Sequence, residues 1–96
     1  MPGEDIIDYA SKGDLKKVEE CITNGDDINV TNEYGSTALM HASVYGHPAV
    51  VTSLIANQAD INVTNNGGWS ALMYATYSGK VECVKVFIQD RKSTRL

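Results

Sequence analysis

This 96-residue chain has no long hydrophobic run, and no apolar stretch approaches the roughly 18 residues that a membrane-crossing helix needs. Cysteine is scarce: Cys21 and Cys83 stand far apart, each among apolar residues at helical spacing. Such a pair is no disulfide framework and reads as two buried free thiols in a reducing compartment. Met1 to Ile7 has neither a basic start nor a long apolar core, so no secretory leader is expected there. The expected location is cytoplasmic, with the nucleus also open to it. Positive charge is short as well, with 8 Lys and Arg against 12 Asp and Glu and a net charge of −4. A net acidic chain without a basic stripe is not built for nucleic acid. No membrane partner is expected either.

Catalytic and metal patterns are also missing. His41 and His47 have no cysteine or carboxylate at ligand spacing. Gly67-Gly68 reads as a turn tip and not as a strand-to-helix phosphate loop, and no serine has a histidine and an acid in register. The expectation is therefore no catalytic residue, no metal site and no cofactor. The chain does not read as an enzyme. His41 is assigned to packing or hydrogen bonding, and His47 to capping or solvent.

What the chain does have is a repeat. Asp27 to Gly46 and Asp60 to Gly79 match at a spacing of 33 residues without insertion, and Asp-Ile-Asn-Val-Thr-Asn recurs letter for letter. Gly35/Gly68, Ala38/Ala71, Leu39/Leu72, Met40/Met73, Ala42/Ala75 and Gly46/Gly79 follow the same register. One step further back, Gly13, Ile6 and Ile7 fall under Gly46, Leu39 and Met40. A fixed period of this size marks a stacked repeat architecture.

The period, with Thr37-Ala38-Leu39-Met40-His41-Ala42 and Ser70-Ala71-Leu72-Met73-Tyr74-Ala75, resembles the ankyrin repeat and its T-P-L-H-x-A pattern. The resemblance runs from about Asp5 to Asp90. Ala replaces the motif proline at 38 and 71, and Met replaces the motif histidine at 40 and 73. All four are apolar and are expected to keep the helix starts buried. The resemblance implies an all-α, ankyrin-type solenoid of three helix-turn-helix units joined by projecting β-hairpin-like turns. The units fall at about 4–27, 28–60 and 61–91, with a tail at 92–96, in a single domain.

Local signals agree. Asp14, Thr37 and Ser70 stand where helix caps are needed, and Pro48 suits a first helical turn. Leu15, Val18, Cys21 and Ile22 share one face, as do Val51, Leu54 and Ile55, then Val81, Val84, Phe87 and Ile88. Gln58 breaks the pattern, because it falls where the first unit has Gly25. A left-handed glutamine costs about 1–2 kcal/mol, so Asn57 is expected to take that conformation instead.

Charge along the stack is uneven. Residues 1–33 carry nine acids and three lysines, net −6, whereas residues 67–96 carry five bases and two acids, net +3. Solvated surface is the plain account; attraction between the acidic head and basic tail of different molecules is the sharper one. The third helix pair has no following hairpin, so Met73, Tyr74, Cys83 and Val86 are expected to leave apolar surface open. A weak homo-oligomer through that end follows as an expectation. The tail Thr94-Arg95-Leu96 resembles the carboxy-terminal ligand of PDZ domains.

Asn29 and Asn62 match the N-glycosylation pattern by coincidence and are expected to brace turns. Asn62, with Leu54, Asp60 and Ile61 upstream, also resembles the asparagine that a hydroxylase modifies in many ankyrin repeats. Asn29 fits less well, since Cys21 stands where Leu54 does.

Residues that differ between repeats are not needed for the fold. On hairpin tips and exposed inner-helix positions these are Lys12, Glu33, Tyr34, Ser36, Val44, Tyr45, Asn66, Trp69, Tyr77 and Ser78. Similar positions in ankyrin proteins form the concave surface that holds a partner protein. Tyr34, Tyr45, Trp69 and Tyr77 stand out, because aromatic side chains dominate interface energies. The chain thus reads as a protein-interaction module, a scaffold or adaptor of unidentified partner. The alternatives are a self-associating piece of a longer array, or a PDZ ligand.

Overall fold

The computed structural model describes residues 5–93, in which six helices follow one another. They are α1 (Ile6–Lys12), α2 (Leu15–Thr23), α3 (Ala38–Tyr45), α4 (Pro48–Ala56), α5 (Ala71–Tyr77) and α6 (Val81–Ser93). Thr94-Arg95-Leu96, the tail that resembles a PDZ ligand, lies outside the described residues. Helices α1, α3 and α5 stack side by side as an inner layer, while α2, α4 and α6 form an outer one. Each inner helix also packs on the outer helix that follows it. The result is an elongated body of 43 × 28 × 19 Å.

The helices begin where their caps stand. Asp5 and Asp8 make a reciprocal capping box at α1, and Asp14, Thr37 and Ser70 each accept a backbone N–H three residues on. Each such cap is worth about 0.5–2 kcal/mol. These helices have seven to nine residues, too short to stand alone, so packing must hold them.

The core runs between the layers. Ile6, Leu39, Met40, Val18, Val50, Val51, Leu54 and Cys83 are all fully buried. Ala38, Ala42, Ala71 and Ala75 let the inner helices approach. Both cysteines are free and buried, and burial is the main cause that pushes each thiol above its ordinary value. No buried side-chain nitrogen or oxygen among the described residues lacks a partner. The ion pairs Lys17–Glu20 and Lys85–Glu82 are exposed and contribute little.

Three expectations need correction. Gln58, not Asn57, takes the left-handed conformation, at φ 74, while Asn57 sits at φ −99. The α4 carboxy terminus demands the conformation at the Gly25 register, whatever residue stands there: the Gln58 N–H reaches the Ile55 carbonyl as the Gly25 N–H reaches that of Ile22. Gln58→Gly should therefore raise stability by about 0.5–1 kcal/mol, the left-handed strain relieved less the backbone entropy of glycine. Urea unfolding measures it.

The apolar surface at the far end is also not the expected set. Cys83 is fully buried and Tyr74 and Val86 are half-buried, whereas Val81 and Ile88 are exposed and Met73 is 47% exposed. Met40, the counterpart of Met73 one repeat earlier, is only 1% exposed. The same letter is covered by a following repeat in one case and left open in the other. Third, His47 holds the N-cap position of α4, where its carbonyl accepts the Val51 N–H, but its side chain makes no cap bond and does not face solvent. The ring is half-buried and donates from Nε2 to the Ser11 carbonyl at 2.9 Å.

Candidate protein-binding face

Two projections rise beside the inner helices, and each is organised by one asparagine. Asn32 donates its N–H to the Ser36 carbonyl at 3.0 Å and accepts the Gly35 N–H on its own carbonyl at 2.9 Å. Its Oδ1 accepts from the N–H groups of Tyr34 and Ser36. Asn65 does the same, atom for atom, with Trp69, Gly68 and Gly67. These are tight side-chain-braced turns with no strand among the described residues.

The tips lean on each other. The Asn66 N–H donates to the Tyr34 carbonyl at 2.9 Å, and Asn66 Nδ2 to that of Glu33 at 3.3 Å. Gly35 is the seat for this contact, since a Cβ there would lie 2.8 Å from Asn66 Oδ1. At the bases, Asn29 Oδ1 accepts the Asp60 N–H at 2.8 Å. So Asn29 braces the segment that leads into the next projection rather than only its own turn. Asn62, its counterpart, is exposed; its backbone N–H donates to Asp60 Oδ1 at 2.9 Å, and its side-chain amide has no partner among the described residues.

Behind the tips runs a directed hydrogen-bond chain. Ser11 Oγ–H donates to the Ile7 carbonyl at 3.1 Å, so His41 Nδ1–H donates to Ser11 Oγ at 2.7 Å. His41 Nε2 is then left to accept from Asn32 Nδ2 at 3.4 Å. This links α1, α3 and the first projection through a neutral imidazole, in the hydrogen-bonding role expected of His41. Burial lowers the His41 pKa, against the raising influence of Asp8 and Asp5. A second proton, on Nε2, would face the amide donor of Asn32.

The sign of the pH effect follows. Below the ordinary imidazole value of 6.5 the unfolded chain takes up a proton that the folded chain refuses, so stability falls with acidification until the lower folded value is reached. Urea midpoints at about pH 7.5 and about pH 5.5 should show this loss, and His41→Gln should remove that share of it. In the third repeat Tyr74 replaces His41, and Asn65 Nδ2 donates both to its hydroxyl at 2.8 Å and to Ser36 Oγ at 3.1 Å.

The named surface residues separate on this frame. Tyr34, Tyr45 and Tyr77 are exposed by 65%, 58% and 81%. Lys12 and Glu33 are exposed, and Val44 and Ser78 half-buried. Trp69 is half-buried: it stacks on Tyr74 at 5.1 Å and meets Tyr77 edge-on at 5.3 Å. It serves the fold and still shows a face to solvent. Asn66 is exposed but also ties the tips together.

Ser36 is a correction, since it is buried at 7% and its N–H, carbonyl and Oγ are all engaged by Asn32 and Asn65. It belongs to the scaffold of the tips. Sequence reasoning also passed over Asn32, Asn65 and Tyr74 as site builders. The available signal was an asparagine at the same register in both projections.

Between the tips lies a shallow groove of about 410 Å³. Tyr34, Trp69 and Tyr74 give it aromatic walls, and Asn32, Asn65 and Asn66 its polar lining. Its asparagines hold backbone and hydroxyl groups, and His41 lines it as well. Among the described residues no three His, Cys, Asp or Glu side chains converge as metal ligands. No helix among them is long and apolar enough to cross a membrane.

Comparison with known proteins accords with this architecture. The family model described as ankyrin repeats (3 copies) matches residues 6–95. The solved human ASB11 ankyrin repeat domain superposes with a TM-score of 0.85 at 26% identity, covering 92% of this chain and 40% of that one. A rice protein (Oryza sativa subsp. japonica) named "Probable E3 ubiquitin-protein ligase XBOS33" is 49% identical over 45 residues, which are 47% of this chain and 9% of the rice protein. The "Putative ankyrin repeat protein YahD" of Escherichia coli strain K12 is 43% identical over 50 residues, 52% of this chain and 25% of its own length. The chain thus spans well under two thirds of each of these relatives. Ankyrin repeats are in general protein–protein interaction modules and typically not enzymes. With the repeat model matched along nearly its whole length, this chain belongs to the ankyrin repeat family.

Proposed function

We propose that the three units, at about 4–27, 28–60 and 61–91, act as one non-enzymatic module that binds a partner protein across the projecting tips and the inner-helix face. The observation that carries this reading is the placement of Tyr34, Tyr45 and Tyr77. Each is more than half exposed, and none belongs to the buried core. Tyr and Trp supply large contact area at small entropic cost. The braced turns hold the tips before any partner arrives, which lowers the ordering cost of binding. Lys12 and Glu33 add charge at the rim, and Trp69 with Asn66 lines the groove between the tips. The two protonated, buried thiols support an intracellular setting.

The test is affinity capture with the intact chain beside a Tyr45→Ala, Tyr77→Ala variant. Both side chains are exposed, so the variant should fold. Proteins bound by the intact chain should bind the variant about 30-fold or more weaker, the effect of losing one or two interface anchors of 2 kcal/mol or more. A partner that ignores these changes and is lost with Thr52→Glu, on the exposed outer helix α4, would contradict the reading.

A further inference from the structure

We propose that His41 is a proton-operated latch on the first projection: the neutral ring holds Asn32, and with it the tip that carries Glu33 and Tyr34, and the protonated ring lets that tip go. The latch regulates the partner-binding face proposed above, and that regulatory meaning rests on the reading of the face.

The backbone decides which end of the Asn32 amide meets the ring. Oδ1 accepts the Tyr34 N–H at 2.9 Å and the Ser36 N–H at 3.0 Å, so it cannot turn away without stranding both. Only Nδ2, a donor, is left to face His41 Nε2, at 3.4 Å. A neutral ring meets that donor with a lone pair, whereas both nitrogens of an imidazolium carry protons. Nδ1–H keeps Ser11 Oγ as its partner in either charge state, so protonation falls on the Asn32 contact alone. Two responses are then open. The amide turns over to accept from Nε2–H, and the Tyr34 and Ser36 N–H groups lose their acceptor. Or the ring withdraws, and Asn32 loses its tether. Either one loosens the turn, and with it the bonds that the Tyr34 and Glu33 carbonyls accept from Asn66 in the second tip.

The surrounding groups set when this happens. On α1, Asp5 and Asp8 favour the proton, but each carboxylate is tied to the other's backbone N–H in the capping box. No carboxylate oxygen among the described residues bonds the ring. Lys12 ends α1, and Glu33 follows Asn32 in the projection; both are exposed. Tyr45 on α3 packs against the ring at 6.2 Å, and Tyr74 on α5 lines the same groove. From α4, His47 donates through Nε2 to the Ser11 carbonyl, a bond that a proton on its Nδ1 leaves in place. Burial is the largest influence on His41, so the latch is shut above the ordinary imidazole value of 6.5 and opens as pH falls below it.

The second projection lacks the device. Tyr74 stands at the His41 register, and its hydroxyl accepts from Asn65 Nδ2 at 2.8 Å. A phenol hydroxyl is no base and takes up no proton on acidification. The Gly67 and Trp69 N–H groups on Asn65 Oδ1 are therefore a built-in reference for the Tyr34 and Ser36 N–H groups on Asn32 Oδ1.

Amide exchange of the isotope-labelled whole chain, followed by NMR and corrected for the intrinsic rate at each pH, tests this. Between about pH 7.5 and about pH 5, protection at Tyr34 and Ser36 should fall about fivefold or more, with the same midpoint as the His41 ring protons. Protection at Gly67 and Trp69 should change by less than about twofold over that range. In His41→Gln, whose amide does not titrate, protection at Tyr34 and Ser36 should not follow pH. The comparison between the two projections needs no variant, so it decides even where the substitution disturbs folding. Tyr34 and Ser36 amides that stay protected while His41 titrates would overturn the latch. So would an equal loss in both projections, which is a weakened stack, or a loss that persists in His41→Gln. No partner enters the measurement, so its failure leaves the binding face standing, and a failed affinity capture leaves the latch standing as a property of the tip.

Discussion

Leu54→Ala is expected to lower the stability of the folded chain by about 2–5 kcal/mol, the range for a fully buried leucine. Leu54 is 0% exposed on α4, among Val50 and Val51, where the central outer helix meets α2, α3 and α6. Truncation removes its transfer free energy and leaves a cavity, because α2 and α6 are held by the flanking repeats, α3 by the inner layer, and none can close in. Small domains begin with about 5–15 kcal/mol, and three stacked repeats stand near the minimum for a stable array. A chain of this length moves by about 4–8 °C in melting temperature per kcal/mol, so the shift should be easily seen. Each repeat contacts only its neighbours, and a fault in the middle one weakens both interfaces. Urea unfolding should keep one transition with an unchanged slope and an earlier midpoint. A loss below about 1 kcal/mol would mean that the layers are not packed as described.

The second large effect belongs to Gly13→Ala, about 2–3.5 kcal/mol. Gly13 sits at φ +73, where any side chain costs about 1–2 kcal/mol. An added Cβ would also lie 2.5 Å from His47 Nδ1 and 2.7 Å from Cε1. The ring cannot step back freely, since its Nε2 bond to the Ser11 carbonyl would break, a further loss of about 0.5–1.5 kcal/mol. The repeat supplies its own controls. Gly46 has the flexible Lys80 stem over it, at 2.9 Å from Cδ, and Gly79 has open space. Gly79→Ala should show the backbone cost alone, and Gly46→Ala should fall between the two. Equal losses at the three sites would mean that the contact across repeats contributes nothing.

These two results explain what could be read from the letters alone. Caps at Asp14, Thr37 and Ser70, helix stops and the buried faces are local or periodic, and a sequence states them directly. Gln58 was misread because propensity favoured Asn57, while the helix end imposed its geometry on whatever residue stood at the register. Met40 and Met73 carry the same letter in the same context, so only the presence or absence of a neighbour separates them. Ser36 reads as a variable surface residue, yet Asn32 and Asn65, one from each projection, converge on it. His47 looked like a helix-start residue, but its partner is Ser11, one repeat earlier. What escaped the sequence was the contact between repeats, and the candidate face is built on those contacts. Tyr34, Tyr45 and Tyr77 were legible as surface aromatics because their register varies from repeat to repeat. Trp69 was only half legible, since stacking on Tyr74 gives it a second duty.

The central claim is that the stack is held by its buried layers and the bonds between repeats, which leaves the exposed tyrosines free for a partner. Equilibrium unfolding of a Tyr34→Ser, Tyr45→Ser, Tyr77→Ser variant tests it most directly. A cost below about 1.5 kcal/mol is predicted, from three exposed sites, the edge-on contact of Tyr77 with Trp69 and the tilted contact of Tyr45 with His41 at 6.2 Å. A cost as large as that of Leu54→Ala would place these rings among the structural contacts and contradict the claim.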